Sequence, residues 1–107
     1  MVPKFVITRF VIYAIINKEN GRRYVGSTSD IFSRISYHKS RLKCLKHPVQ
    51  DLQYDYIKFG EHAFEFVILQ LDVDPRYIHI AENYWIGHDK RLKLSYNRRL
   101  NRIFTKR

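Results

Sequence analysis

An Asn-Gly pair between two strand-like segments is the feature that most limits how this chain can fold. Residues 10–16 are almost all β-branched or aromatic, a composition typical of strands. Residues 23–26 form a second, shorter segment, and Asn20-Gly21 between them tolerates the positive φ angles of a tight turn. The sequence therefore predicts an antiparallel β-hairpin near the start of the chain.

Helix signals follow the hairpin. Ser27-Thr28-Ser29-Asp30 offers N-cap side chains for a helix over residues 31–43. His47-Pro48 predicts the start of a second helix that ends at Gly60, because proline is tolerated in a first turn and glycine ends helices.

A third strand and a third helix complete the pattern. Residues 64–69 read as a strand, and Asp74-Pro75 predicts the start of a helix that runs to about residue 87. Beyond it we expect a loop and one short element near residues 94–103. The element order is ββααβα, so the sequence predicts an α+β fold around a small antiparallel sheet.

The length and net charge of the chain limit the number of domains and the class of binding partner that we expect. The chain has 107 residues, which favours a single domain over 1–107, and a formal net charge of +10. That surplus favours a polyanion as partner, with nucleic acid ahead of an anionic membrane surface. We expect a core over about residues 10–99 and a basic tail over 98–107, where Arg98, Arg99 and Arg102 would contact nucleic acid.

Several classes are disfavoured. The lone Cys44 cannot form an internal disulfide, so we expect a reduced, intracellular and cytoplasmic protein. The longest apolar stretch has 12 residues, too few to cross a bilayer, so no membrane association is expected. Gly21 and Gly26 have the spacing of a phosphate loop, but Ser27 replaces its lysine, so no nucleotide cofactor is expected.

Glu82 is the first candidate for chemistry. Ile78, Ala81 and Trp85 place it inside an apolar helical stripe. A buried carboxylate without a partner is costly, so it needs a cation: Arg, Lys or a metal ion. The alternatives are a structural salt bridge or the edge of the stripe reaching solvent.

Two further groups of side chains are candidates. Arg34 and His38 are four residues apart on the first helix and can reach one phosphate, with Arg41 one turn further; the alternative is a solvated basic face. Tyr13 and Tyr24 lie on adjacent strands, where aromatic packing is the ordinary explanation. A phenol acts as a base only beside positive charge that lowers its pKa.

Together these residues resemble a known family. Val11-Ile12-Tyr13 and Tyr24-Val25-Gly26, eleven residues apart at their tyrosines, resemble the two motifs of the GIY-YIG nucleases. Arg34, Glu82 and Asn97 match that family's arginine, glutamate and late asparagine. His38 and His47 match two histidines found in the catalytic domains of phage intron-encoded homing endonucleases, to which the chain is most similar.

The resemblance implies a fold and a reaction. It implies a three-stranded antiparallel sheet flanked by helices, and metal-dependent hydrolysis of DNA phosphodiesters. Glu82 would hold Mg²⁺, or another divalent cation such as Mn²⁺, and Arg34 would stabilise the transition state. Tyr13, Tyr24 and His38 are the candidate general bases, and Asn97 would orient a catalytic group or the ligands of the metal ion. Arg41 and His47 would contact DNA.

The sequence departs from the family motif at one position, and it leaves one alternative function open. Val11 stands where the family has glycine, and we expect it to behave as an ordinary strand residue. No separate recognition domain is evident, so we expect a free-standing nuclease or a fragment with weak sequence specificity. The alternative function is a catalytically inactive, basic nucleic-acid-binding protein on the same fold. The sequence leaves the oligomeric state open.

Overall fold

The computed structural model describes residues 9–101, and its centre is a three-stranded sheet. Strand β1 is Phe10–Asn17, β2 is Arg23–Thr28 and β3 is Phe64–Val73. Their order is β2-β1-β3, and both pairings are antiparallel, as predicted. Arg102, Lys106 and Arg107 of the predicted basic tail lie outside the described residues.

Three helices flank the sheet: α1 is Ile31–Lys43, α2 is Gln50–Phe59 and α3 is Ile78–Arg91. Asp30 caps α1, because its carboxylate accepts a hydrogen bond from the Ser33 amide at 3.1 Å. Short 3₁₀ turns, Glu61–Ala63 and Pro75–Tyr77, precede β3 and α3. The element order confirms the predicted α+β class.

The sheet separates two apolar clusters. Ile12, Ala14 and Val25 pack against Ile86 of α3 on one face. Ile15 of the opposite face packs with Leu42 of α1 and Leu52 of α2. Because side chains alternate along a strand, neighbouring residues of β1 and β2 are directed to opposite helices. This alternation decides which side of the sheet each candidate site residue occupies.

The hairpin is confirmed, although its turn is longer than two residues. Gly21 has a φ of +76°, which is the left-handed region that favours glycine. Asn20 instead supports the turn with its side chain, whose Oδ1 accepts from the Arg22 amide at 2.9 Å. Val11 pairs with Thr28 of β2, whereas the pairing of β1 with β3 shifts register between Phe10 and Ile12.

Three predicted helix boundaries were wrong, since Asp74-Pro75 starts the 3₁₀ turn Pro75–Tyr77 and α3 itself begins at Ile78. α2 begins at Gln50 rather than at His47-Pro48, because the His47 ring and backbone form a turn with Val49 and Gln53. α3 continues past residue 87 to Arg91, since its last turn carries the buried Asp89, which forms a bidentate pair with Arg23. The Arg23–Asp89 pair joins distant segments, so local sequence patterns did not show it.

Candidate active site

Tyr13 lies over Gly26 on the face of the sheet that α1 and α2 cover. The two residues are direct partners across β1 and β2. A Cβ atom on residue 26 would lie 2.5 Å from the Tyr13 hydroxyl oxygen, closer than packed atoms allow. Glycine at this position therefore lets the Tyr13 side chain cross the neighbouring strand. Tyr24 shares the same face, two residues before Gly26.

The Tyr13 hydroxyl meets a pair of histidines. Tyr13 is 2% exposed, and its Oη lies 2.6 Å from Nε2 of His38. Nδ1 of His38 lies 2.8 Å from Nε2 of His47, with the two rings stacked. This series of hydrogen bonds ends at the backbone amide of Val49, which donates to Nδ1 of His47 at 3.1 Å. Four groups are thus linked through three hydrogen bonds, two of them buried and the one from Val49 partly buried.

The helices explain why these rings meet. His38 is on the buried stripe of α1, one turn before Leu42, and is 3% exposed. His47 lies in the connection between α1 and α2, where Gln53 binds both the His47 amide and the Leu42 carbonyl. That connection turns the His47 ring inward, and it is 6% exposed. Both of its ring nitrogens are bonded inside the protein, which leaves neither for the predicted contact with DNA.

The surroundings shift the pKa values of these groups. Burial raises the pKa of the Tyr13 phenol above its usual value, and the Arg34 charge partly opposes this shift. The pKa of Tyr24 is raised by burial and by Glu82, again against Arg34. Burial, aided by His47 and Arg34, lowers the pKa of His38 to about 4. Both imidazoles are therefore neutral at physiological pH, since burial and Arg41 also lower the pKa of His47.

Arg34 lies on the exposed edge of α1 beside the phenols. Its guanidinium stacks on the Tyr37 ring with its carbon 5.4 Å from the ring centroid, and Arg41 stacks on the same ring at 5.4 Å. Within residues 9–101 Arg34 forms no salt bridge. Its charge acts on both phenols, so the arrangement places a cation without a carboxylate partner beside Tyr13 and Tyr24.

Glu82 reaches the site from α3, on the other side of the sheet. Its Oε1 accepts a hydrogen bond from the Ser27 hydroxyl, and its Oε2 accepts from Nδ2 of Asn101 at 2.8 Å. No Lys, Arg or His of the described part of the chain forms an ion pair with it. Within residues 9–101, a structural salt bridge of the kind considered from the sequence is therefore not what holds this carboxylate.

These features fit a divalent cation bound through one protein ligand. A carboxylate held by neutral donors keeps its full charge, and carboxylate oxygen is a ligand that Mg²⁺ and Mn²⁺ accept. Among the described residues, no group of three His, Cys, Asp or Glu is arranged to hold a metal ion. The remaining ligands of a cation on Glu82 would therefore be water and substrate oxygens, as is usual for Mg²⁺.

Asn97 holds the strand that carries Tyr24 and Gly26. Its Oδ1 accepts from the Val25 amide at 2.8 Å, and its Nδ2 donates to the Val25 carbonyl at 3.0 Å. Its side chain thereby occupies both backbone groups of Val25 on the outer edge of β2. Asn97 is close to the site through this strand, and its amide does not bond to Glu82 or to the phenols.

The segment after Asn97 is tied to α3. Nζ of Lys90 donates to the carbonyls of Asn97 and Arg98, and the Asn83 side chain binds both the amide and the carbonyl of Asn101. A pocket of about 230 Å³ opens beside it, lined by Tyr24, Asn97 and Arg98 among others. Arg98 and Arg99 are exposed there, as is Arg41 on α1. Arg102 lies beyond the last described residue.

Sequence reasoning missed two residues that contact Glu82. Ser27 follows Gly26 directly, and strand alternation alone directs it to the face opposite Tyr24, where α3 lies. Asn101 was assigned to the basic tail, and its contact with Glu82 gives no local sequence signal. The prediction that Arg34 and His38 contact one phosphate together is wrong for His38, because its two ring nitrogens are bonded to Tyr13 and His47.

Comparison with known proteins agrees with this arrangement. The family model described as the GIY-YIG catalytic domain matches residues 9–97. A comparison with curated protein sequences found no significant match.

No helix of the described residues is long and apolar enough to cross a membrane.

Two solved structures are similar over most of the chain. The catalytic domain of homing endonuclease I-TevI has a TM-score of 0.75 and 30% identity, and the match covers 85% of this chain and 99% of that one. A mutant of the catalytic domain of intron endonuclease I-TevI has a TM-score of 0.77 and 29% identity, over 90% and 99% of the two chains. Together with the family match and the placement of Tyr13, Tyr24, Arg34 and Glu82, these likenesses show that the chain belongs to the GIY-YIG family of nucleases.

Proposed function

We propose that this protein is an endonuclease that hydrolyses DNA phosphodiester bonds with a divalent cation, most simply Mg²⁺, held by Glu82. The main support is the pairing of two uncompensated charges around Tyr13 and Tyr24. Glu82 has only neutral donors on its carboxylate, and Arg34 has no carboxylate partner among residues 9–101. A phosphate group and a cation are the ligands that would complete both charges.

Each residue then has a distinct task. The planar guanidinium of Arg34 binds the scissile phosphate through paired donors and stabilises the added charge of the transition state. A cation on Glu82 would supply further stabilisation of charge on the phosphate and on the leaving oxygen. The phenolate form of Tyr13, or of Tyr24 beside it, would accept the proton of the attacking water. Burial raises the pKa values of both phenols, and the positive charge of Arg34 opposes that rise only in part.

A plasmid assay tests the reaction. Purified protein is incubated with supercoiled plasmid and Mg²⁺, with Mn²⁺ and Ca²⁺ in parallel, and with excess EDTA as control. Nicked or linear product that EDTA abolishes is the expected result. Plasmid that is retarded on the gel but stays intact with every cation would instead support the inactive nucleic-acid-binding protein.

The role of Arg34 has its own test. Arg34→Ala should lower kcat at least about a hundredfold while changing KM little, because the arginine acts mainly in the transition state. Arg34→Lys should restore little, since one ammonium cannot reproduce two parallel hydrogen bonds. Arg41→Ala is the matched control, because it removes the other arginine stacked on Tyr37 and should mainly weaken binding. A raised KM with unchanged kcat in Arg34→Ala would make Arg34 an ordinary phosphate contact.

We also propose that DNA binding by this single catalytic unit is weakly specific and mainly electrostatic. The exposed Arg34, Arg41, Arg98 and Arg99 would neutralise about four phosphates. The logarithm of the binding constant should then fall with the logarithm of salt concentration at a slope of about −4, from roughly −0.9 per phosphate. Strong preference for one duplex over a scrambled competitor would contradict this proposal, as would salt-independent binding.

A further inference from the structure

The hydrogen bonds from Val49 to Tyr13 can run in only one direction when both imidazoles are neutral. The Val49 group is a backbone N–H, which donates and cannot accept. It bonds to Nδ1 of His47 at 3.1 Å, so that nitrogen carries the lone pair. A neutral imidazole has one N–H, and the proton of His47 is therefore on Nε2.

The same reasoning applies to the next two hydrogen bonds of the series. Nε2 of His47 donates to Nδ1 of His38 across 2.8 Å, which makes Nδ1 of His38 the acceptor. The proton of His38 is then on Nε2, and that group donates to Tyr13 Oη across 2.6 Å. Neutrality of both rings agrees with the lowered pKa values of His38 and His47. A single backbone amide thus fixes the tautomers of two side chains.

We propose that His47, anchored by the Val49 amide, is a positioning residue that keeps the proton of His38 on Nε2 and makes the Tyr13 oxygen a hydrogen-bond acceptor toward His38. The hydroxyl hydrogen of Tyr13 must then point away from His38. A donor fixed on the phenol oxygen favours its ionised form, because hydrogen bonding to the charged state lowers a pKa.

The arrangement also removes His38 as the base. With Nε2–H directed at Tyr13 and Nδ1 bonded to His47, neutral His38 has no lone pair left to take a proton from water. This consequence for catalysis rests on the proposed nuclease function, whereas the tautomers themselves do not. Other charged or titratable groups facing Tyr13 and His38 are Tyr24 of β2, Arg34 and Tyr37 of α1, and Glu82 of α3.

Nitrogen NMR of the imidazoles tests the tautomers without any cleavage. In ¹⁵N-labelled protein near pH 7, the shifts and two-bond couplings should show N–H at Nε2 and a lone pair at Nδ1 for both His38 and His47. Protonation of either ring at Nδ1, or of both nitrogens of either ring, would overturn the proposal. The result is independent of the plasmid assay, so failure of the nuclease proposal and failure of this one are distinguishable.

Two variants at one position test the consequence for Tyr13. His47→Gln keeps an amide donor for Nδ1 of His38, whereas His47→Leu keeps bulk and removes the donor. We expect His47→Gln to preserve the Nε2–H tautomer of His38, and His47→Leu to give a mixture of tautomers that leaves Tyr13 Oη without a fixed donor; the ¹⁵N shifts of His38 measure both outcomes.

The same variants separate a positioning role from simple stability. Cleavage by His47→Leu should fall about tenfold or more in kcat, with KM for DNA unchanged, and His47→Gln should recover most of that loss. Equal losses of kcat in the two variants would overturn the positioning role. So would an unchanged His38 tautomer in His47→Leu.

Discussion

The candidate site has residues on both faces of the sheet, and the polar side chains of the two faces differ in charge and in how they are hydrogen-bonded. On the histidine face, defined by Tyr13, His38 and His47, every group is neutral and bonded to the next. On the carboxylate face, defined by Glu82, Ser27 and Asn101, the partners of the charge within the described part of the chain are neutral donors. The site thus bonds its neutral groups to one another, whereas Glu82 and Arg34 have no ion-pair partner among the described residues.

The difference follows from the cost of burial. A neutral phenol and two neutral imidazoles can be buried once their hydrogen bonds are made. A carboxylate without a cation is expensive to bury fully, and Glu82 accordingly lies in a half-buried position. The hydrogen bonds of the histidine face can therefore be complete before substrate arrives, whereas under the proposed function a bound cation would complete the carboxylate face.

Removal of the charge from the carboxylate face should have the largest effect. Glu82→Gln keeps shape and removes charge, so we expect cleavage to fall roughly a thousandfold or more. DNA affinity should stay or improve, because a negative charge near the phosphate has gone. Plasmid nicking and gel retardation measure the two effects, and circular dichroism checks the fold. Cleavage equal to that of wild type would show that Glu82 is not the metal ligand.

A change beneath Tyr13 should break the histidine face. Gly26→Ala places a Cβ against the Tyr13 hydroxyl, so the ring must move and lose its bond to His38. We expect a loss of about 1–3 kcal/mol in the free energy of unfolding and at least about tenfold in kcat.

Gly87→Ala is its matched control. A Cβ there meets only the end of the flexible Arg91 side chain at 3.6 Å, inside α3. It should gain about 0.5–1 kcal/mol, since alanine is favoured over glycine in a helix. Chemical denaturation distinguishes the pair, and equal effects of the two substitutions would contradict the packing of Tyr13 over Gly26.

Loss of the Asn101 donor should weaken the carboxylate face without destroying it. Asn101→Ala removes the hydrogen bond to Oε2 of Glu82, and we expect about tenfold weaker binding of Mn²⁺. Electron paramagnetic resonance of free Mn²⁺ measures this binding without DNA. Asn83→Ala, which loosens the Asn101 backbone but keeps its amide, should have a smaller effect. Unchanged or tighter Mn²⁺ binding in Asn101→Ala would show that Asn101 does not support the metal site.

Acid should destabilise the protein through the histidine face. The pKa of His38 is lowered to about 4 in the fold, from an unfolded value near 6.5. The unfolded chain therefore binds more protons between these values, and stability falls as pH decreases from about 6.5 to 4, by on the order of 2 kcal/mol. His47 adds to the loss in the same direction.

Denaturation midpoints over this pH range measure the effect. His38→Gln should show a shallower dependence, while His79→Gln, at an exposed position of α3, should retain that of wild type. A slope of stability with pH that His38→Gln leaves unchanged would contradict the neutral state of His38.

Local patterns predicted the elements and the motif residues, and long-range contacts decided the rest. The hairpin, the cap at Asp30 and the placement of Tyr13 and Tyr24 follow from turn chemistry and strand alternation. The meeting of His38 and His47 depends on how α1 and α2 are joined, and the Asn101 contact depends on the path of the chain after Asn97. Interactions of this kind are fixed by tertiary packing, so no spacing in the sequence reveals them.

The tie between Asn101 and α3 has a consequence for modular use of this nuclease. The family pattern matches through residue 97, which is a tempting place to attach a DNA-recognition module. A junction there would remove Asn101, and with it the side-chain amide that binds Glu82 and the two hydrogen bonds between the Asn101 backbone and Asn83. The portable unit therefore extends at least to Asn101, and a linker to any targeting domain should begin after it and leave that residue free to lie along the helix.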